Sequence, residues 1–384
     1  QQHQTRTNVG VTVMKDLSHA LTNLDLFQTN IQVIYDDTVI TPIVESVEWS
    51  GDIMLPYRTL NVSLINTIDG VKRAIEFEEG KELIFINDGD ELFRGVIFTQ
   101  EIDESGNMSI TAYDENIYLL KNADTRKFLN MKASAIVREL CVDFGIEIGE
   151  IDDTGYVIPK LILRDKTLWD MIVTALTVTQ KQNGRRFVVF AKDGRLHLKE
   201  RKARVAEFIL EDKTSITGAS YYRSIEETKT QVKVIGGDED KNPLVAIAKN
   251  DELISKIGIM QHLEVMDPDA KQSEIDQRAR ELLSKLGVIN DESLIETLGF
   301  DDVISGVSVY VYERMTGITG AYYVVADTHR YENGIHTMSI KLSATDDLPT
   351  LEYDEPETKK DGGNGGDDGG SLDEFFRLLE QFGE

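Results

Sequence analysis

Six histidines, one cysteine and a surplus of carboxylates are the side chains here with the clearest capacity for chemistry. His3, His19, His197, His262, His329 and His336 contain no HExxH and no i, i+4 pair on a helix, the spacing that turns two imidazoles toward one zinc ion. His329 and His336 flank a predicted hairpin turn and could face each other as half of a metal site. The plainer expectation is ordinary strand histidines, exposed or partly buried. Cys141 lies between Leu140 and Phe144 on the apolar side of a predicted helix, where a thiol acts as a small hydrophobe rather than a nucleophile. A single cysteine forms no internal disulfide and no cysteine-based zinc site, and suits a reducing compartment.

The carboxylates are numerous enough that some pair always looks catalytic. Glu76, Glu78 and Glu79 form one cluster, and Glu101, Asp103 and Glu104 another. Glycoside hydrolysis needs two carboxyls across a cleft, one with a raised pKa, and a run on a solvated strand face supplies neither. There is no G-x-S-x-G and no phosphate-binding loop, and Gly236-Gly237 reads as a turn. No catalytic, cofactor-binding or metal residue is assigned. The expectation is a protein that is not an enzyme and carries no cofactor.

Composition sets the wider limits. The 384 residues carry a formal charge of −27, with 41% hydrophobic and 28% charged residues, the mixture of a folded globular chain of two to three domains. Such acidity opposes a protein that grips nucleic acid, since phosphate binding needs clustered Lys and Arg. No stretch approaches the ~20 apolar residues that span a bilayer, and the polar start, Gln1 to Asn8, lacks the apolar centre of a signal peptide. Asp346 to Glu384 holds thirteen acids and three bases, which leaves −17 for the body.

The elements follow from periodicity. Residues 11–27 suggest a short helix bearing Leu17, Leu21 and Leu24, or a strand at Val11 to Val13. From Ile31 to Tyr113 the pattern is β: Ile31 to Tyr35 and Val39 to Trp49 around Asp36-Asp37, then Leu60, Val62 and Leu64 alternating with polar residues. Leu83 to Ile86 and Leu92 to Phe98 flank Asn87-Asp88-Gly89-Asp90, and Ser105-Gly106-Asn107 leads into Met108 to Tyr113. Helical turns are expected at Glu115 to Lys121, a helix capped by Ser134 and stopped at Gly145, and another opened by Thr167 and Asp170 and ended at Asn183-Gly184. A hairpin around Asp193-Gly194 completes this α+β unit. Strands return at Ser220 to Tyr222, Thr230 to Ile235, Leu244 to Ala248, Met260 to Val265, Val307 to Tyr312, Tyr322 to Ala326 and Ile335 to Leu342. A helix with Pro268 in its first turn and Gly287 at its end interrupts them.

The expected fold class is thus α+β, mainly β: two tube-like β-barrel domains separated by a small α+β domain, with a flexible C-terminal tail. The expected boundaries are an N-terminal extension at 1–28, a first barrel at 29–122 and the α+β insert at 123–205. A second barrel at 206–346 contains a helical excursion at about 268–286, followed by an acidic Gly-rich linker at 347–370 and an amphipathic helix at 371–384. That helix lines up Leu372, Phe375, Phe376, Leu379 and Phe382 with nothing local to cover them, and leaving each exposed forgoes roughly 1.5–3 kcal/mol. It reads as an anchor for a partner surface or neighbouring subunit; folding back on its own body is the other reading.

Between residues 110 and 201 specific landmarks accumulate: Ala112-Tyr113-Asp114, Tyr118 with Leu119-Leu120-Lys121, Lys132-Ala133-Ser134, Asp143-Phe144-Gly145, Thr154-Gly155-Tyr156, Ile158-Pro159-Lys160, and Gly194 to Leu198 ending in Glu200-Arg201. With them the chain resembles, over about residues 30–345, the XkdQ/YqbQ-like hub proteins of contractile phages and defective prophages of Gram-positive bacteria. The resemblance implies a late-control-D type hub in the tail baseplate of a phage or phage-tail-like particle (a tailocin). It implies a homotrimer, assembled in the host cytoplasm, whose two barrels per chain let three copies meet a six-fold tail tube and a three-fold spike. The partners implied are the tail tube protein, the spike protein, other baseplate proteins and the tape-measure protein, with no specific nucleic-acid or membrane contact. A tail-associated cell-wall-degrading or glycan-binding protein is the alternative.

Overall fold

The computed structural model describes residues 29–202, 208–237 and 244–353. The helix read at 11–27 and the anchor residues Leu372, Phe375, Phe376, Leu379 and Phe382 lie outside them. The chain divides into two compact units, one drawn from residues 1–217, 296–312 and 319–384, the other from 218–295 and 313–318.

In the first unit, β1 (Ile31–Tyr35), β2 (Thr38–Val39), β3 (Val44–Asp52), β4 (Arg58–Ile65), β5 (Glu82–Asn87), β6 (Asp90–Ile102) and β7 (Asn107–Tyr113) form the first β region. The β1–β2, β5–β6 and later hairpins turn on two residues that both take positive φ: Asp36-Asp37, Asp88-Gly89, Asp193-Gly194 and Asn333-Gly334. That backbone twist matches the twist of paired strands, which is why Asp, Asn and Gly recur there. Pro42 stops the strand expected to run from Val39 to Trp49. With no N–H and a fixed φ it opens a 3-10 turn at Thr41–Ile43, after which β3 begins. Val47, Leu60, Val62, Leu83, Phe85, Ile110 and Ala112 are fully buried in the core of this region.

The insert comprises α1 (Tyr118–Lys121), β8 (Ala123–Lys132), α2 (Ala133–Asp143), β9 (Ile148–Ile151), β10 (Val157–Thr167), α3 (Leu168–Asn183), β11 (Phe187–Lys192) and β12 (Arg195–Glu200). β8 pairs antiparallel with β10, and β11–β12 form the expected hairpin, with β9 parallel to β12. Thr167 caps α3 as read, its hydroxyl accepting from the Asp170 amide at 3.0 Å, and Gly184 ends the helix at φ 73°. Ser134 does not cap α2. The helix already starts at Ala133, and Ser134 is buried against Thr154, whose hydroxyl accepts from the Ser134 amide at 3.1 Å.

β13 (Phe208–Glu211) precedes the second unit, which takes in most of β14 (Ile216–Ser224) and contains β15 (Gln231–Gly236), β16 (Leu244–Lys249), α4 (Asp251–Ile257), β17 (Gln261–Val265), α5 (Gln272–Leu286) and most of β18 (Asn290–Leu298). β15 lies between antiparallel β16 and parallel β17, and α5 buries Ile275, Ala279 and Leu282 against Val232, Val234 and Ala246. α5 begins at Gln272, after Pro268 rather than around it, because the Glu274 carboxylate accepts from the Lys271 amide at 2.8 Å and fixes the start there. Within the stretch 206–346 expected as a second barrel, residues 218–295 therefore form a compact unit of their own.

β19 (Ser308–Tyr312), β20 (Thr319–Glu332) and β21 (Ile335–Ser343) return to the first unit. There β20 pairs antiparallel with β3 from Ala326↔Asp52 to Glu332↔Ser46, giving the strand order β21-β20-β3-β4-β7-β6-β5-β1-β2, with β19 on β20 and β13 on β19. The chain is mainly β with a few helices, as the α+β reading requires. The two β regions share one ladder.

Candidate functional site: a buried polar joint where the two β regions meet

At the β3–β20 ladder the interior is polar. Asp327 of β20 is 2% exposed and accepts from the Arg58 guanidinium of β4 through both oxygens, Nη1 to Oδ1 at 3.0 Å. The Ser305 amide also donates to Oδ1 at 2.5 Å. Burial alone would raise this carboxyl. The Arg58 charge and the hydrogen bonds from His329 and Arg58 together outweigh burial and hold the group down at about 2. Arg58 in turn stacks over Trp49 of β3, 4.0 Å from the ring centre, and its own amide donates to Asp114 at 2.7 Å.

His329 and His336 do face each other. Nδ1 of His329 and Nε2 of His336 are 2.9 Å apart, and both rings are buried, at 0% and 6% exposed, which corrects the expectation of exposed or partly buried strand histidines. The hairpin register explains the meeting: His329 sits opposite Met338 and Tyr331 opposite His336, so the two imidazoles lie diagonally on one face. Nε2 of His329 reaches the Val303 carbonyl at 3.1 Å and Asp327 at 3.3 Å. Burial, then the neighbouring His329, pushes the His336 pKa down to about 3, so this ring is neutral and one proton sits between the two facing nitrogens.

Beyond His336 the network ends on Asp301, 3.4 Å from its Nδ1. Asp301 accepts from the Tyr331 hydroxyl at 2.6 Å and from the Asn87 amide at 2.7 Å. Tyr331 stacks on His336 with ring centres 4.0 Å apart, and burial beside Asp301 raises its phenol pKa. Two glycines make room: a Cβ at Gly51 would fall 2.2 Å from Arg58 Nη1, and one at Gly299 would fall 2.1 Å from His336 Cδ2. Among the described residues, no group of three or more His, Cys, Asp or Glu is placed to hold a metal ion. What the arrangement does is fix a register, since each ring and charge is matched only when β3, β4, β20 and β21 stand as they do.

The other chemical candidates disperse. Cys141 is buried in the insert core, its thiol pushed up to about 11 by burial. Asp103 and Glu79 are exposed and sit below the ordinary carboxylate range, held first by hydrogen bonds from the Asn107 and Gln100 side chains respectively. Neither cluster lines a cleft with a raised partner. Two perturbed carboxyls escaped the sequence reading: burial pushes Glu115 up to about 7 and raises Asp114 well above its usual range. Asp114 spends both oxygens on the Arg58 and Asn116 amides, so it ties β4 to the turn after β7. Nothing in Ala112-Tyr113-Asp114 could reveal this, because Arg58 is 56 residues away.

Several landmark residues turn out to be ties of this kind. Lys132 pairs with Asp153 at 2.7 Å beside the Ser134–Thr154 contact, and Arg185 holds Glu200 through two bonds of 2.9 Å. Arg201, 5% exposed, clasps Asp346 at 2.6 Å together with Arg186, and so brings the segment after β21 back onto the insert. Burial opposes the charge on Asp346, and the two guanidinium groups overcome it and lower its pKa. Leu351 then donates its amide to Thr177 Oγ1 at 3.0 Å, and the Tyr353 hydroxyl accepts from the Ile162 amide at 3.0 Å. The linker expected from residue 347 is therefore seated on the insert as far as Tyr353.

The family of YqbQ-like proteins matches residues 47–343, a span that takes in the polar joint and the insert. The chain is 32% identical over 309 residues to YqbQ of Bacillus subtilis, covering 80% of this chain and 94% of that protein. It is 33% identical over 319 residues to the phage-like element PBSX protein XkdQ of the same organism, covering 83% and 97%. Among solved structures, the 43 kDa tail protein of prophage MuSo2 from Shewanella oneidensis superposes with a TM-score of 0.61 at 12% identity, over 82% of this chain and 98% of that one. The chain therefore belongs to the YqbQ-like family and has the fold of a phage tail protein.

Proposed function

We propose that the protein is a non-enzymatic baseplate hub, a trimeric adaptor between a six-fold tail tube and a three-fold spike in a contractile phage tail or phage-tail-like particle. The observation that carries this reading is the shared β3–β20 ladder, locked by the Arg58–Asp327–His329–His336–Asp301 network. Two β regions held rigidly in one chain are what a trimer needs to present six building blocks to a tube. A ring interface is heterologous, so each subunit needs two unlike edges. Here one end of the sheet is the short β2, and near the other a branch through β19 ends in β13, so the outer strands are unlike. Tail tube, spike, other baseplate and tape-measure proteins are the partners of such a hub, in a particle assembled in the host cytoplasm.

Light scattering on the purified chain, beside a zymogram on bacterial cell walls, tests this reading. A trimer without lysis is expected. A monomer that clears the wall would replace the hub with a tail-associated lytic enzyme.

A further inference from the structure

The first unit holds an apolar cleft of about 270 Å³ that none of the described chain fills. Leu55 and Pro56, from the turn between β3 and β4, form one wall, and Trp169, Val173 and Leu176 of α3 form another. Phe190 and Leu55 remain 37% and 39% exposed there. An apolar hollow of ~150 Å³ takes one benzene ring, so this one has room for about two large apolar side chains.

The chain itself indicates the occupant. Leu348 and Pro349 form an edge of the cleft, and the backbone continues along α3 to Tyr353, the last described residue. Thr177, which receives the Leu351 amide, is eight residues from Trp169 on the same helix, about 12 Å along its axis. Residues 354–371, rich in Gly and Asp, separate this seat from Leu372. A random chain of 18 residues spans about 21–25 Å end to end, a reach that returns to the cleft and corresponds to about millimolar effective concentration. Beyond the tether come Leu372, Phe375, Phe376, Leu379 and Phe382, and in a helix Phe375 and Leu379 project together one turn apart.

We propose that this cleft is the receptor for the C-terminal segment Leu372 to Phe382 of the same chain, with Phe375 and Leu379 seated between α3 and the β3–β4 turn. The segment occupies the cleft by a contact within one subunit, and this holds whether or not the protein is a baseplate hub.

Cysteine pairing in the full chain tests it. Under mild oxidation, Leu55→Cys with Leu379→Cys is expected to give a reducible crosslink within one chain, at least tenfold faster than Val71→Cys with Leu379→Cys, since Val71 is 89% exposed and does not line the cleft. Cys141 is buried and stays out of the exchange. Independently, Phe375→Asp with Leu379→Asp is expected to shift tryptophan emission to the red as Trp169 becomes wetter, and added peptide 371–384 is expected to restore the parent spectrum in the doubly substituted chain. A crosslink between chains, a rate equal to the control, or unchanged emission would each overturn the proposal.

Discussion

Arg58 and Asp327 carry the sharpest energetic demand in the molecule, because each leaves a buried charge if the other is removed. Arg58→Ala is expected to cost roughly 3–5 kcal/mol by chemical denaturation, while Arg58→Met with Asp327→Leu recovers most of that loss. A single substitution costing under 1 kcal/mol would show that the pair does not lock the joint. His336 gives a pH signature. Its folded pKa of about 3 lies below the ordinary 6.5, so the unfolded chain takes up its proton first, and stability falls as pH drops from 6.5 toward 3. His336→Gln should remove that component, which is up to about 1.4 kcal/mol per pH unit, in denaturation curves at pH 6 and pH 4. Asp327, with a folded pKa of about 2, adds a separate loss only below its ordinary 3.8, so the two windows can be told apart. The histidine pair was legible in sequence because only six residues, with one Asn-Gly turn among them, separate its members. Arg58 was not, since it lies 269 residues from the aspartate it neutralises and only the β3–β20 register unites them.

At the scale of elements, sequence patterning worked where one face of a strand or helix is apolar and failed where burial is polar or mixed. The alternation Met338, Ile340, Leu342 announced β21, and the stripe Ile275, Ala279, Leu282 announced α5. β18 buries Ser293, Ile295 and Thr297 on one face, and two hydroxyl residues in that series hide the period of two. β8 buries Phe128 alone among residues dominated by charge, so only its pairing with β10 identifies it as a strand. The segment after β21 read as linker from its composition, yet Asp346 fastens it. Asp346→Ala, which strands the buried Arg201, is expected to speed hydrogen exchange at the Leu351 and Ile162 amides by at least tenfold while the Val62 amide in β4 keeps its protection. Equal exchange at all three sites would mean that the clasp does not hold the segment.

At the scale of the whole molecule, the sequence indicated a mainly β, α+β chain of the YqbQ-like family; the structure has that composition and the family match has that family. The sharing of one ladder by the two β regions was not legible, because strand order is set by contacts between residues some 280 positions apart. If the chain forms a ring, its body charge of −17 suits walls that repel DNA, and a channel lined with basic residues would contradict that. The most direct measurement is electron cryomicroscopy of the assembled tail end. The account predicts three copies of this chain in a closed ring between tube and spike, with the β3–β20 ladder intact in each. Six copies, or a chain lying off the tail axis, would contradict it.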